Sequence, residues 1–339
     1  MRRLLLASAG AVAIVLAGVA PALACGGLVA PNGTVRLLRT STLAAYTDGV
    51  EHYITSFTFA GGGAEVGSIV PLPGVPTSVE RGGDWTLQRL QRETQPVFEA
   101  AAASSGDSAT SAQRAEVLLE TRIDALDLTV LKGGAAEVGT WAEEHGFQLT
   151  PDAPEVLEFY AARSPIFLAA RFDAGEAATR GQNVGDGTPV HLTIPTDRPW
   201  VPLRILALGR GEAEPVEADV YLLTDRQPSL LGLTGLVEER SEPASTTLLR
   251  DLRSDKGMDW VPLSMWLTYL RVDAPARVLD HDLAITVDGS TPSTVDAGYR
   301  LVSSTTPAPG DPRPPLWPFV LATVLVGAGV VPIVRRRWA

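Results

Sequence analysis

Four histidines, at 52, 145, 191 and 281, are the side chains of this sequence best suited to proton transfer or metal binding. Their spacing argues against a local site for either. None stands at the HxH or HxxxH interval that sets two imidazoles on one face of a strand or helix. His145 precedes Gly146 at the end of a helical pattern, where an imidazolium is favoured by the helix dipole. His52 and His191 fall in strand patterns, which places them on solvent faces or among satisfied core groups. His281 lies between Asp280 and Asp282, but adjacent strand residues point to opposite faces, so "DHD" is no ready metal site.

Carboxylates recur at 251, 255 and 259. On a helix Asp251 and Asp255 share a face, and the interleaved Arg250, Arg253 and Lys256 make it read as a solvated one. No calcium loop of the DxDxDG type occurs. Glu143–Glu144 and Glu238–Glu239 read as exposed pairs. Gly61, Gly63 and Gly67 do not fit GxGxxG and lead into a strand pattern, so "AGGGAEVG" reads as a hairpin end and not as a dinucleotide loop. G-x-S-x-G, S-x-x-K with K-T-G, and HExxH are all missing. Catalytic residues therefore stay unassigned, and no cofactor or metal site is expected.

The elements that must position these residues are mostly strands. "TSTLAAY" and "EHYITSFTFA" flank Asp48-Gly49, which predicts a hairpin. "EVGSIVPLPGVP" is a short strand broken by prolines, with Ile69, Val70 and Leu72 as core material. A helix is expected over 84–95, capped by Asp84, and Trp85, Leu87 and Leu90 supply its apolar residues. "RIDALDLTVLKG" reads as one strand. "AAEVGTWAEEHGF" reads as a helix burying Val138, Trp141 and Ala142, and "PDAPEVLEFYAAR" as another burying Val156, Leu157 and Tyr160. "PIFLAARF", "PVHLTI", "VPLRILALG", "VEADVYLLT", "SMWLTYLRV" and "HDLAITV" read as strands, with a short helix in "TTLLRDLRSDKG". Strands and helices do not alternate one for one, which excludes a doubly wound parallel sheet. The expected body is α+β, mainly antiparallel β, with a sandwich as one arrangement.

The two ends carry targeting signals. Residues 1–24 have an Arg2-Arg3 start, an apolar run, and Ala22-Leu23-Ala24 as a cleavage site, so a secretory signal is expected. "LWPFVLATVLVGAGVVPIV", 316–334, has no charge and as a helix spans about 28 Å, close to the hydrocarbon thickness. Arg335, Arg336 and Arg337 follow, so 335–339 reads as a basic cytoplasmic tail. Residues 301–315 are a proline-rich stalk. Between the ends the expected order is a β-rich region over 25–99, a flexible insertion or linker over 100–113, and an α+β body over 114–300. Cys25, the sole cysteine, is expected at or next to the mature N-terminus. It carries no lipid in this reading, because Ala22 stands where a lipobox wants an aliphatic residue. The formal charge is −11, and five arginines lie in the two ends, which leaves the body near −16. Such a body repels nucleic acid.

"CGG" just after a signal, "GSIVPLPGVP" at 67–76, and the stretch 126–153, "LDLTVLKGGAAEVGTWAEEHGFQLTPDA", together resemble the bacterial family known as domain of unknown function 2330. The resemblance covers nearly the whole chain. It implies an exported, membrane-anchored protein and brings no activity or catalytic residue with it. Many members have a second cysteine a few positions after "CGG". Here those positions are Leu28, Val29 and Ala30, so the resemblance brings no local disulfide. Two functions fit these readings. One is a binding or scaffold module, anchored in the lipid bilayer by its terminal span and facing an envelope or protein partner. The other is an exported envelope hydrolase whose site assembles from distant segments.

Overall fold

The computed structural model describes residues 27–29, 36–37, 40–56, 59–60, 66–94, 115–181 and 188–299. The chain divides into two units, Met1–Arg300 and Leu301–Ala339, and every described residue lies in the first. The signal, Cys25, the 100–113 insertion, the stalk and the terminal apolar run fall outside the described residues. Among the described residues no helix is long and apolar enough to cross a membrane.

The chain begins with β1 (Gly27–Val29), β2 (Arg36–Leu37), β3 (Thr40–Thr47), β4 (Val50–Ser56), β5 (Phe59–Ala60), β6 (Val66–Pro71) and β7 (Ser78–Arg81), then α1 (Thr86–Thr94). It continues through β8 (Glu116–Ile123), β9 (Leu126–Lys132), α2 (Ala135–Glu144), α3 (Ala153–Ala161), β10 (Ile166–Phe172), α4 (Ala174–Thr179), β11 (Pro189–Pro195) and β12 (Trp200–Val201). The last part holds β13 (Pro215–Thr224), β14 (Ser229–Leu231), β15 (Leu236–Pro243), α5 (Thr246–Ser254), β16 (Trp266–Pro275) and β17 (Leu283–Thr286). The fold is α+β with mostly antiparallel sheets. A seven-stranded sheet runs β15-β16-β13-β3-β4-β11-β7, and a five-stranded sheet runs β1-β6-β10-β9-β8. Among the described strands only β13 and β3 pair in parallel. Strands from 25–99 and from 114–300 share both large sheets, and in the seven-stranded sheet they are interleaved.

The β3–β4 hairpin forms where expected. Asp48 and Gly49 both have positive φ, +51° and +76°, which matches the twist of the flanking strands. The centre of the seven-stranded sheet is buried on both faces, while its edge strand β15 is largely exposed. Val216, Ala218, Val220 and Leu222 of β13 join the large core that also takes Ile69, Val130 and Leu168 of the five-stranded sheet. From the opposite face Tyr221 and Leu223 meet Leu87 and Leu90 of α1 and Leu248, Leu249 and Leu252 of α5. Burial on both sides explains why "VYLL" shows no apolar–polar alternation.

Three local expectations are corrected. "RIDALDLTVLKG" is not one strand: Asp124, at φ +54°, opens a two-residue loop between β8 and β9. "VPLRILALG" is strand only at β12, then a 3₁₀ turn over Arg204–Ala207. The expected cap of α1 also changes. Asp84 is exposed and pairs with Arg81, while the cap comes from Asp255, just past the end of α5. Asp255 accepts from the Asp84 and Trp85 amides at 3.1 and 2.9 Å and from the Thr86 hydroxyl at 2.8 Å. It is buried, so the solvated-face reading of the 251/255 pair holds for Asp251 alone, which meets Arg89 at 2.8 Å. Gly83 is required beside this cap, because a Cβ there would stand 2.3 Å from the Asp255 carboxylate. Asp255→Ala strands three amides, those of Asp84, Trp85 and Lys256, and a hydroxyl. It is expected to cost about 2 kcal/mol in urea denaturation; a change under a few tenths would mean that water replaces the cap.

Candidate functional site

On the face of the five-stranded sheet beside α2 lies an open cleft of about 420 Å³, lined by Glu120, Arg122, Asp127, Thr129, Trp141, His145 and Arg171 among others. Its floor follows from strand register. Arg122 of β8 and Arg171 of β10 both stand opposite Asp127 of β9. Two residues along, on the same face, Glu120 stands opposite Thr129 and Ala169 completes the row. The β8–β9 turn at Asp124 makes this possible, because a two-residue loop sets Arg122 and Asp127 across from each other.

The charges of the floor are bound to one another. Arg122 grips Asp127 with two hydrogen bonds, Nε at 2.6 Å and a terminal nitrogen at 2.9 Å, and Arg171 adds a third at 2.8 Å. Burial by itself would raise the Asp127 carboxyl. The hydrogen bonds from Arg122 and then Arg171 outweigh it and hold the group below the usual carboxylate range. Asp127 is thus kept ionised and is a weak proton acceptor.

The wall is the last turn of α2. His145 stacks on Trp141 at 4.0 Å between centroids, and its Nδ1 lies 2.7 Å from the Trp141 carbonyl oxygen. A carbonyl can only accept, so Nδ1 carries a hydrogen and adds a second bond to a carbonyl that already takes the His145 amide at 3.1 Å. That leaves Nε2 as the nitrogen available to a ligand. Trp141 itself is only 4% exposed, as its place on the apolar helix face predicts. Glu144, expected exposed, is buried beside them; Glu143, Glu238 and Glu239 are exposed as expected.

The other histidines form different groupings. His52 and His191 meet across β4 and β11 with Nδ1 and Nε2 3.0 Å apart, and His52 stacks on Trp260 at 3.7 Å. Burial pushes both rings down to about 4, and for His191 the proximity of His52 adds to the effect. The pair is a neutral, packed unit. His281 precedes β17 instead of lying in it; its Nδ1 meets Asp280 at 2.6 Å, and it stacks on Tyr299. Asp282 turns to a different set of partners, so "DHD" does not act as one group. Among the described residues no three His, Cys, Asp or Glu side chains are grouped to hold a metal ion. Gly67 lies within β6, and Gly61 and Gly63 are outside the described residues.

Sequence reasoning singled out none of Arg122, Asp127 and Arg171. The signal was present in "RIDALD", where a two-residue turn sets Arg122 and Asp127 face to face. Reading the stretch as one strand hid it.

No curated protein matches the chain. Solved structures with general likeness include baculovirus P35, at 8% identity and a TM-score of 0.41 over 75% of this chain and 97% of that one. The caspase-8/P35 complex is also similar, at 9% and 0.38 over 74% and 96%. A description of an uncharacterised protein conserved in bacteria (DUF2330) matches residues 19–228, a span that holds the whole cleft and both members of the His52–His191 pair. The chain belongs to the DUF2330 family of uncharacterised proteins conserved in bacteria.

Proposed function

We propose that the protein is a membrane-anchored extracytoplasmic binding module, with a sandwich-like body that holds an envelope or protein partner at the β8–β9–β10 cleft. The signal-like residues 1–24, the apolar run 316–334 and the basic tail 335–339 support export of the body with a cytoplasmic C-terminus. The body's charge near −16 speaks against nucleic acid as the partner. One observation carries the choice of binding over hydrolysis. The cleft's most buried carboxylate, Asp127, is clamped by two arginines and kept ionised, an arrangement that fixes a recognition surface and impedes proton transfer.

The test is proximity labelling and co-purification with the full-length chain in its own cell. Envelope neighbours are expected, and Arg122→Ala should reduce their recovery tenfold or more while the melting temperature stays close to wild type. A neighbour set made up only of cytoplasmic proteins would refute the topology. An unchanged set with Arg122→Ala would remove the cleft from the binding reading.

A further inference from the structure

We infer that the cleft takes a neutral polyhydroxylated ring, a saccharide unit, in preference to an anion or a metal ion. This rests on the cleft being the binding site and specifies its ligand. The first argument is charge. Two guanidinium groups face two carboxylates, Asp127 and Glu120, so the lining has no net positive charge to offer an anion. Arg122 already turns two of its nitrogens to Asp127, and Arg171 turns one. A ligand carboxylate or phosphate would have to displace these bonds while standing beside like charges.

The second argument is the valence of what remains. Glu120 is exposed, and among the described residues it has no ion-pair partner, so its oxygens are open acceptors. His145 has committed Nδ1 to the Trp141 carbonyl, which leaves Nε2 facing a ligand. Thr129 lies opposite Glu120 and both donates and accepts. Arg122 is partly exposed, and its third nitrogen lies 3.7 Å from Asp173, beyond hydrogen-bond distance, which leaves it free to donate. Open acceptors and a donor around one small cleft suit vicinal hydroxyls, each of which gives one hydrogen bond and takes another. The Glu120 carboxylate can engage two neighbouring hydroxyls at once. A flat apolar ligand is disfavoured, since Trp141 is covered by His145. A metal is disfavoured because among the described residues no three His, Cys, Asp or Glu side chains converge there. The volume of about 420 Å³ lies in the range of small-ligand sites.

The experiment uses the full-length chain in detergent micelles on an array of immobilised neutral and acidic oligosaccharides. The best neutral hit and its closest uronic-acid counterpart are then titrated as soluble disaccharides by calorimetry. Retention of at least one neutral saccharide is expected, with binding weakened tenfold or more by Glu120→Ala and by Arg122→Ala. Glu120→Ala changes an exposed side chain, so loss of binding without a change in melting temperature reports on the site and not on folding. Tighter binding of the acidic disaccharide, or retention no better than that of the Glu120→Ala variant, would overturn the saccharide assignment. If Arg122→Ala still abolishes capture of envelope neighbours in cells, the cleft stands as the binding site and only the ligand class falls. If capture is also unaffected, the cleft itself falls as the binding site.

Discussion

Glu51→Gln will make the protein more stable at pH 8.5 than the unsubstituted chain, and the advantage will vanish near pH 4.5. Glu51 lies on β4 with its side chain fully buried, and among the described residues neither carboxyl oxygen has a partner of hydrogen-bond geometry. Burial raises its pKa to about 8; the Trp200 amide, near but outside hydrogen-bond geometry, opposes the shift only in part. The sign follows from proton counting. In the unfolded chain the group ionises near 4.5, and in the folded chain near 8. Between these values the unfolded state holds fewer protons, so rising pH favours unfolding. The contribution is whole below pH 4.5 and is lost by about pH 8, which amounts to roughly 4–5 kcal/mol at 1.36 kcal/mol per unit.

His52 and His191 act in the opposite direction. Their folded pKa values are depressed to about 4, so their contribution is whole above 6.5 and is lost as pH falls toward 4. Two histidines outweigh one carboxyl below 6.5, and the carboxyl acts alone above it, so stability should peak at about pH 6.5. Urea denaturation across pH 4 to 9 reads the whole curve. A Glu51→Gln variant that keeps the alkaline decline would show that Glu51 is not its cause.

Asp282→Ala will cost about 3–5 kcal/mol, the range for removing one partner from a buried charge network. Asp282 has no exposed surface. One carboxyl oxygen accepts from the Tyr160 hydroxyl at 2.8 Å and from the Leu203 and Arg204 amides at 2.7 and 3.0 Å; the other accepts from the Arg163 guanidinium. The Tyr160 oxygen in turn accepts from the Ile205 amide at 2.8 Å. Removing the carboxyl strands all four donors and leaves the Arg163 charge buried, with the Asp296 carbonyl at 2.7 Å and the rings of Phe159 and Trp200 as its remaining company. This network ties α3, the 3₁₀ turn and the segment before β17 together. Asp282→Asn keeps an acceptor oxygen and should cost less than Asp282→Ala. Equal losses in the two variants would place the effect in the charge and not in the hydrogen bonds.

These groups differ in how far the sequence announces them. The β3–β4 hairpin, α2, α3 and α5 were legible because Asp48-Gly49, the apolar period and the glycine stops all act within one turn or one window of chain. α1 was legible as a helix, yet its cap was not, since Asp255 lies 171 residues from the Asp84 amide it accepts from. "DHD" looked like one unit, yet the fold sends Asp282 to Tyr160 and Arg163 while His281 stays with Asp280.

The sequence by itself determined the family, the α+β class, the position of most elements and which residues could become core, because backbone propensity and apolar period are properties of neighbouring residues. Only the tertiary structure decided that Arg122 and Arg171 would clamp Asp127, that His52 would meet His191 across 139 positions, and that Glu51 would be buried without a partner. A side chain's type fixes its charge and its count of donors and acceptors. Its partner and its exposure, which decide whether that charge is a surface ornament, a clamp or a titrating liability, come from strand register and from segments far away in the chain.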